Sequence, residues 1–210
     1  MEKLKAKQIV KKWCELIGEL SDDHRYFSTT VLKKLSGGKP FSVAELDNEL
    51  HVSLRRIKKL LSKRPKTHFD ENHCIRSHGG ISATKTNITL QSNDSTFYAN
   101  SAWESLAICT LLDMDLTISA FCEHSQKEIK IKITPLGYET DCDDIMISFI
   151  PLLDLDTDKT LNINSWSFFI FNSNNGEEWI DEHPDLLLMP LSIAYQSARD
   201  VAEKIYHLDT

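Results

Sequence analysis

Ser101 and Glu104 stand three residues apart at the head of an apolar stretch with helical spacing, so a hydroxyl and a carboxylate share one helix face. In a pocket, Glu104 is the natural proton donor, and Ser101 a polar or nucleophilic contact. A serine nucleophile also needs a base and an oxyanion hole, and no histidine lies nearby in sequence to complete a triad. The same two residues form a capping box, with Ser101 as N-cap and Glu104 three positions on. Both readings stand: a pocket pair, and a structural cap.

Other residue types that carry chemistry are scattered. His68, His73, Cys74 and His78 fall within eleven residues, but their spacing fits no familiar zinc finger. His73 and Cys74 are adjacent and in a strand would face opposite ways, so these histidines are expected on a solvated hairpin. Cys122 and His124 are a weaker pair, with Cys122 expected as a buried structural thiol. Cys109 lies inside the helix that follows Ser101 and is expected in the core, and Cys142 sits among carboxylates that disfavour a thiolate. No metal and no cofactor is expected. Arg55, Arg56, Lys58 and Lys59 lie mainly off the apolar face of a short helix and are candidates for contact with DNA phosphates.

The elements that must position these groups can be read from periodicity. Helical spacing runs over 4–20 and 28–35, where Gly37-Gly38 stops it. Ser42-Val43-Ala44-Glu45 is a capping box opening a third helix. His51-Val52-Ser53 leads to a fourth, with Leu54, Ile57, Leu60 and Leu61 on one face and Pro65 at its end. A strand over 67–75 with a turn at Asp70-Glu71-Asn72, then strand signal over 81–90, completes a winged helix-turn-helix pattern. Helical spacing returns over 98–113. Strands are predicted over 116–122, 128–134, 145–150 and 166–171, with 172–176 as a turn and helices over 177–183 and 191–207.

The 210 residues, 41% of them hydrophobic, suffice for a core without staples. The net charge of −7 conceals an asymmetry. Residues 1–66 hold sixteen Lys/Arg against eight Asp/Glu, and residues 67–210 hold eight against twenty-three. A basic head and an acidic body imply two modules, divided here as 1–80 and 81–210. Five cysteines without a CxxC pair indicate reduced thiols. With no apolar run after the charged start and none long enough for a membrane span, a cytoplasmic chain with no membrane partner is expected.

The stretch Phe97-Tyr98-Ala99-Asn100-Ser101-Ala102-Trp103-Glu104-Ser105-Leu106 resembles the active-site segment of the alkylmercury lyases, which reads Tyr-Ala-x-Cys-Ala-x-Asp-x-Leu. Gly38-Lys39-Pro40-Phe41-Ser42 is similar to that family's Gly-Arg-Pro-Val-Ser entry to a helix, and Asp70-Glu71-Asn72 to its wing turn. Cys122 falls at the spacing of its additional, non-catalytic cysteine, and Glu177-Glu178-Trp179 resembles its late Glu-Asp-Trp. The likeness extends over about residues 30–207.

The resemblance implies an α+β fold: a winged-helix-like N-terminal region, then a mixed β-sheet domain flanked by helices. It also implies a site once built on two cysteines and an acid. Ser101 stands at the first cysteine, and the second falls at Asn164 or Ser165, with Ser165 fitting better without gaps. Glu104 replaces the aspartate, and Tyr98, Asn164 and Trp166 are implied as substrate contacts. Mercury strongly prefers sulfur to oxygen, so loss of both thiols should remove carbon–mercury cleavage. The expectation is a divergent member, monomeric or homodimeric, whose pocket is reused for an unknown small ligand at Ser101, Glu104 and Ser165. A DNA-binding or ligand-sensing regulator and a residual organomercurial lyase are the alternatives. The resemblance counts against DNA as a partner, because the family's similar head packs on its own catalytic domain.

Overall fold

The computed structural model describes residues 7–8, 10–11, 13–15, 18–62, 67–149 and 167–206. Residues 7, 8, 10, 11 and 13–15 are helical (α1). The helices α2 (Asp22–Leu35), α3 (Val43–Leu50) and α4 (Leu54–Leu61) follow, then a hairpin of β1 (Thr67–Phe69) and β2 (Ile75–His78). Each start is encoded locally. Asp22 and Asp23 sit in the first turn of α2, where the helix dipole favours negative charge. The Ser42/Glu45 capping box opens α3 and Ser53 caps α4. Helix α2 begins at Asp22, six residues before the predicted 28, because that turn is held by Phe27 and His24 packing inward. Phe41, between α2 and α3, bridges to Ile75 of β2 and ties the helices to the hairpin. Asp70 closes the hairpin, its carboxylate accepting the N–H groups of Asn72 at 2.9 Å and Cys74 at 2.8 Å.

The body holds β3 (Ile81–Ser82), β4 (Ile88–Gln91), β5 (Thr96–Ala99), α5 (Ala102–Leu112), β6 (Leu116–Phe121), β7 (Glu128–Thr134) and β8 (Gly137–Thr140). After these come β9 (Ile145–Phe149), β10 (Phe169–Phe171), α6 (Asn172–Glu182), β11 (Leu187–Pro190) and α7 (Leu191–Tyr206). One eight-stranded sheet runs β1-β2-β3-β5-β4-β6-β7-β8, and a second runs β10-β9-β11. Among the described residues every strand pairing is antiparallel, which corrects the expected mixed sheet. Most neighbours are joined by tight turns, and such links give antiparallel pairs. Strand β7 alternates exposed and buried residues, as Glu-Ile-Lys-Ile-Lys-Ile-Thr requires.

Two stretches differ from expectation. Tyr98 and Ala99, expected to start the helix over 98–113, instead end strand β5, which pairs with β4. Residues 172–176 open α6 instead of forming a turn. Helix α5 crosses from β5 to β6 over β4 and lies between the sheet and α7, with nine of its eleven residues buried. The indole of Trp13 stacks on Trp103 at 5.0 Å, so α1 rests on the start of α5.

His78 corrects the solvated-hairpin expectation. It is 1% exposed, because α2 and α7 cover this face of the sheet. Its Nε2 lies 2.7 Å from Ser28 Oγ and its Nδ1 2.8 Å from Thr67 Oγ1, while Ser28 Oγ meets the Tyr206 hydroxyl at 2.9 Å. This chain of hydrogen bonds links α2, β1, β2 and the end of α7. Burial, with the nearby charge of His24, lowers the His78 pKa from 6.5 to about 3. The folded protein therefore keeps His78 neutral at pH values where the unfolded chain protonates it. Stability is expected to fall as pH drops from about 6.5 towards 3, with this residue contributing up to about 1.4 kcal/mol per pH unit. Urea unfolding between pH 7 and 5, above most carboxylate titration, reads this slope, and His78→Gln should flatten it.

Candidate functional site

The start of α5 is where hydroxyl and carboxylate meet. Ser101 has extended backbone and is the N-cap. Its Oγ accepts the Glu104 N–H at 3.2 Å and donates its own proton to Glu104 Oε2 at 3.0 Å. Gly80, in the turn between β2 and β3, lies directly against Glu104. A Cβ there would stand 2.8 Å from the Cβ, Cγ and Cδ of Glu104, and the Gly80 φ of +92° is itself a conformation other residues resist. The Gly80 carbonyl accepts the Asn100 N–H at 2.9 Å, which fixes the approach to the helix. The turn thus sets the depth at which the carboxylate sits. Two adjacent glycines favour a turn, but nothing in the sequence tells which side chain Gly80 faces.

Ser167 was not foreseen. It is 3% exposed, its carbonyl accepts the Ala102 N–H at 3.0 Å, and its Oγ accepts the Trp103 N–H at 3.0 Å. Serine in the run leading into β10 suggested only a strand residue. The contact spans 64 positions and carries no local signature.

Ser101 and Ser167 line a cavity of about 310 Å³. Ile88, Ala99 and Phe169 are the buried apolar wall, while Asn87, Asn100, Phe121 and Glu123 are exposed at the rim. No cysteine lines it. Tyr98 is not among its lining residues, since along β5 it lies on the face opposite Ala99. Asn164, Ser165 and Trp166 lie outside the described residues.

The two buried cysteines, Cys109 and Cys122, lie outside that lining. Cys109 is buried and its thiol donates to the Met114 carbonyl at 3.0 Å. Burial, with Asp115 and Asp113 nearby, pushes its pKa up to about 12, so it is an inert core thiol. Cys122 is also buried. Burial pushes it up, but the backbone N–H groups of Ser125 at 3.5 Å and Phe171 at 3.4 Å point at its sulfur, favour the thiolate and bring its pKa below the ordinary value. Among the described residues, no three His, Cys, Asp or Glu side chains are grouped to hold a metal ion.

On α4, Arg55, Arg56, Lys58 and Lys59 are all exposed while Ile57 and Leu60 are buried, and Arg56 forms an ion pair with Asp23. No helix among the described residues is long and apolar enough to cross a membrane.

Comparison with known proteins bears on this arrangement. The family model for alkylmercury lyase matches residues 81–203. An alkylmercury lyase from Bacillus cereus is 21% identical over 184 residues, spanning 87% of this chain and 83% of that protein. One from Streptomyces lividans is 21% identical over 181 residues, spanning 86% of this chain and 83% of that protein. The crystal structure of the mercury-bound form of MerB2 superposes with a TM-score of 0.78 at 17% identity, covering 95% of this chain and 99% of the other. At that identity the superposition speaks for the fold.

Proposed function

Because this chain belongs to the alkylmercury lyase family, we propose that it keeps the fold, lacks carbon–mercury cleavage, and uses the cavity at Ser101 to bind a small ligand. The observation that carries this reading is the absence of sulfur from the cavity lining beside Ser101. Cleavage of a carbon–mercury bond calls for soft thiolate ligands and an acid to protonate the leaving carbon. Glu104 stands at the acid position and hydrogen-bonds Ser101, but it is not among the residues lining the cavity, which offers hard hydroxyl oxygens.

New serine chemistry is not favoured. The Ser101 proton is held by Glu104, and the N–H groups at the start of α5 are engaged by Ser101 and Ser167, leaving no oxyanion hole there. Binding is therefore proposed ahead of catalysis. In a fragment screen followed by amide NMR, hits are expected to shift the signals of Asn100, Ser101, Trp103 and Ser167 together. Hits that leave those signals in place would contradict the reading.

We read the head as winged-helix-like, from three helices, the Phe41–Ile75 bridge and the β1–β2 hairpin. The outward set of Arg55, Arg56, Lys58 and Lys59 supports DNA contact as a second reading. The ion pair between Arg56 and Asp23 counts against it by neutralising one of those charges.

A further inference from the structure

A helix start usually invites an anion, because its first N–H groups lack partners and the dipole favours negative charge. At α5 those groups are already taken. Ala102 N–H goes to the Ser167 carbonyl at 3.0 Å, and Trp103 N–H to Ser167 Oγ at 3.0 Å. Glu104 N–H goes to Ser101 Oγ at 3.2 Å, and Ser105 N–H to the Ser101 carbonyl at 3.1 Å. The Glu104 carboxylate also sits in the first turn and answers the dipole from within the chain. Among the described residues the cavity adds no positive charge: those that line it include no Lys, Arg or His, and Glu123 stands at its rim.

The two serines differ in what they leave for a ligand. Ser101 donates its proton to Glu104 and accepts one N–H, so its remaining capacity is a lone pair. Ser167 Oγ accepts the Trp103 N–H, and its own proton has no acceptor among the described residues. Among the described residues the two serines therefore offer one acceptor and one donor, beside an apolar wall of Ile88, Ala99 and Phe169 and the aromatic ring of Phe121.

We propose that this cavity takes a small ligand whose planar head carries N–H groups, a carboxamide or an amidine on an apolar body, and refuses carboxylates and phosphates. The proposal rests on the reading of the cavity as a ligand site. An N–H of the head would donate to Ser101 Oγ. A carboxamide carbonyl would accept from Ser167, whereas an amidinium would gain from Glu123.

Benzamide, benzamidine and benzoate share one ring and differ only in the head, so they test the class on the wild-type protein. Titration of each, followed by amide NMR at Ser101, Trp103 and Ser167, should show benzamide and benzamidine binding at least about tenfold tighter than benzoate. Glu123→Gln, at an exposed position, should weaken benzamidine several-fold and leave benzamide unchanged. Benzoate binding as tightly as benzamide would overturn the proposed class while leaving the cavity a ligand site. If none of the three moves those amides, both the class and the cavity reading fail.

Discussion

Gly80→Ala is expected to cost about 3 kcal/mol of stability and to drive Glu104 away from Ser101. Two effects combine. The residue has a φ of +92°, where a side chain is strained whatever the space. The new methyl would also stand 2.8 Å from three carbons of Glu104. One of these is the Cβ, which cannot retreat unless α5 itself shifts. The helix is clamped by Ser167 below and α7 behind, so the cost cannot be relaxed by a rotamer change alone.

Urea unfolding measures the stability loss, and amide NMR reports the displacement. Two comparisons isolate it. Gly137→Ala meets nothing within 4 Å and should change stability by less than about 0.5 kcal/mol. Gly38→Ala would meet the Thr96 carbonyl oxygen at 2.3 Å and has φ of +74°. It should lose at least as much stability as Gly80→Ala while leaving the Ser101–Glu104 hydrogen bond in place. A Gly80→Ala protein as stable as wild type, with unshifted Ser101 and Glu104 amides, would contradict the role given to this turn.

What the sequence makes readable here follows from how local each signal is. The Ser42/Glu45 box, the Ser101 cap and the strand Glu128–Thr134 depend on neighbours within a few residues, and each forms as read. Tyr98 and Ala99 read as the start of the following helix because Tyr98 falls in phase with its apolar positions, yet pairing with β4 holds them in a strand. Asn172–Gly176 is polar and carries glycine, so it reads as a turn. It nonetheless starts a helix that Trp179 anchors in a small core with Ile170 and Leu186.

The site shows the same division. Ser101 and Glu104 are three residues apart and were legible as a pair. Ser167 and Gly80 reach the same helix start from distant parts of the chain, and His78 owes its burial to α2 and α7. Such contacts depend on tertiary packing, which no spacing rule encodes.

The second large effect concerns restored sulfur. If the proposed reading holds, Ser101→Cys/Ser165→Cys is expected to give a protein that releases mercury where the wild type does not, because it supplies one soft thiolate beside Glu104 and a second at the position the resemblance assigns to the family's other cysteine. Ser101 is 1% exposed and caps α5, so a thiol there starts in a fixed position, with Glu104 one helical turn on. None of the five existing cysteines lines the cavity. Cys109 is held protonated in the core with a pKa of about 12, and neither it nor Cys122 lines the cavity. General acid catalysis contributes roughly 10²-fold or more, so release by the double variant should exceed the blank by at least about 10²-fold.

The measurement that tests the central claim most directly is mercury(II) release from phenylmercury in excess thiol, with wild type and the double cysteine variant side by side. The expected result is wild type at the rate of the protein-free blank and release by the variant alone. Release by the wild type above the blank would contradict the account, since it would require a thiol that the cavity beside Ser101 does not contain.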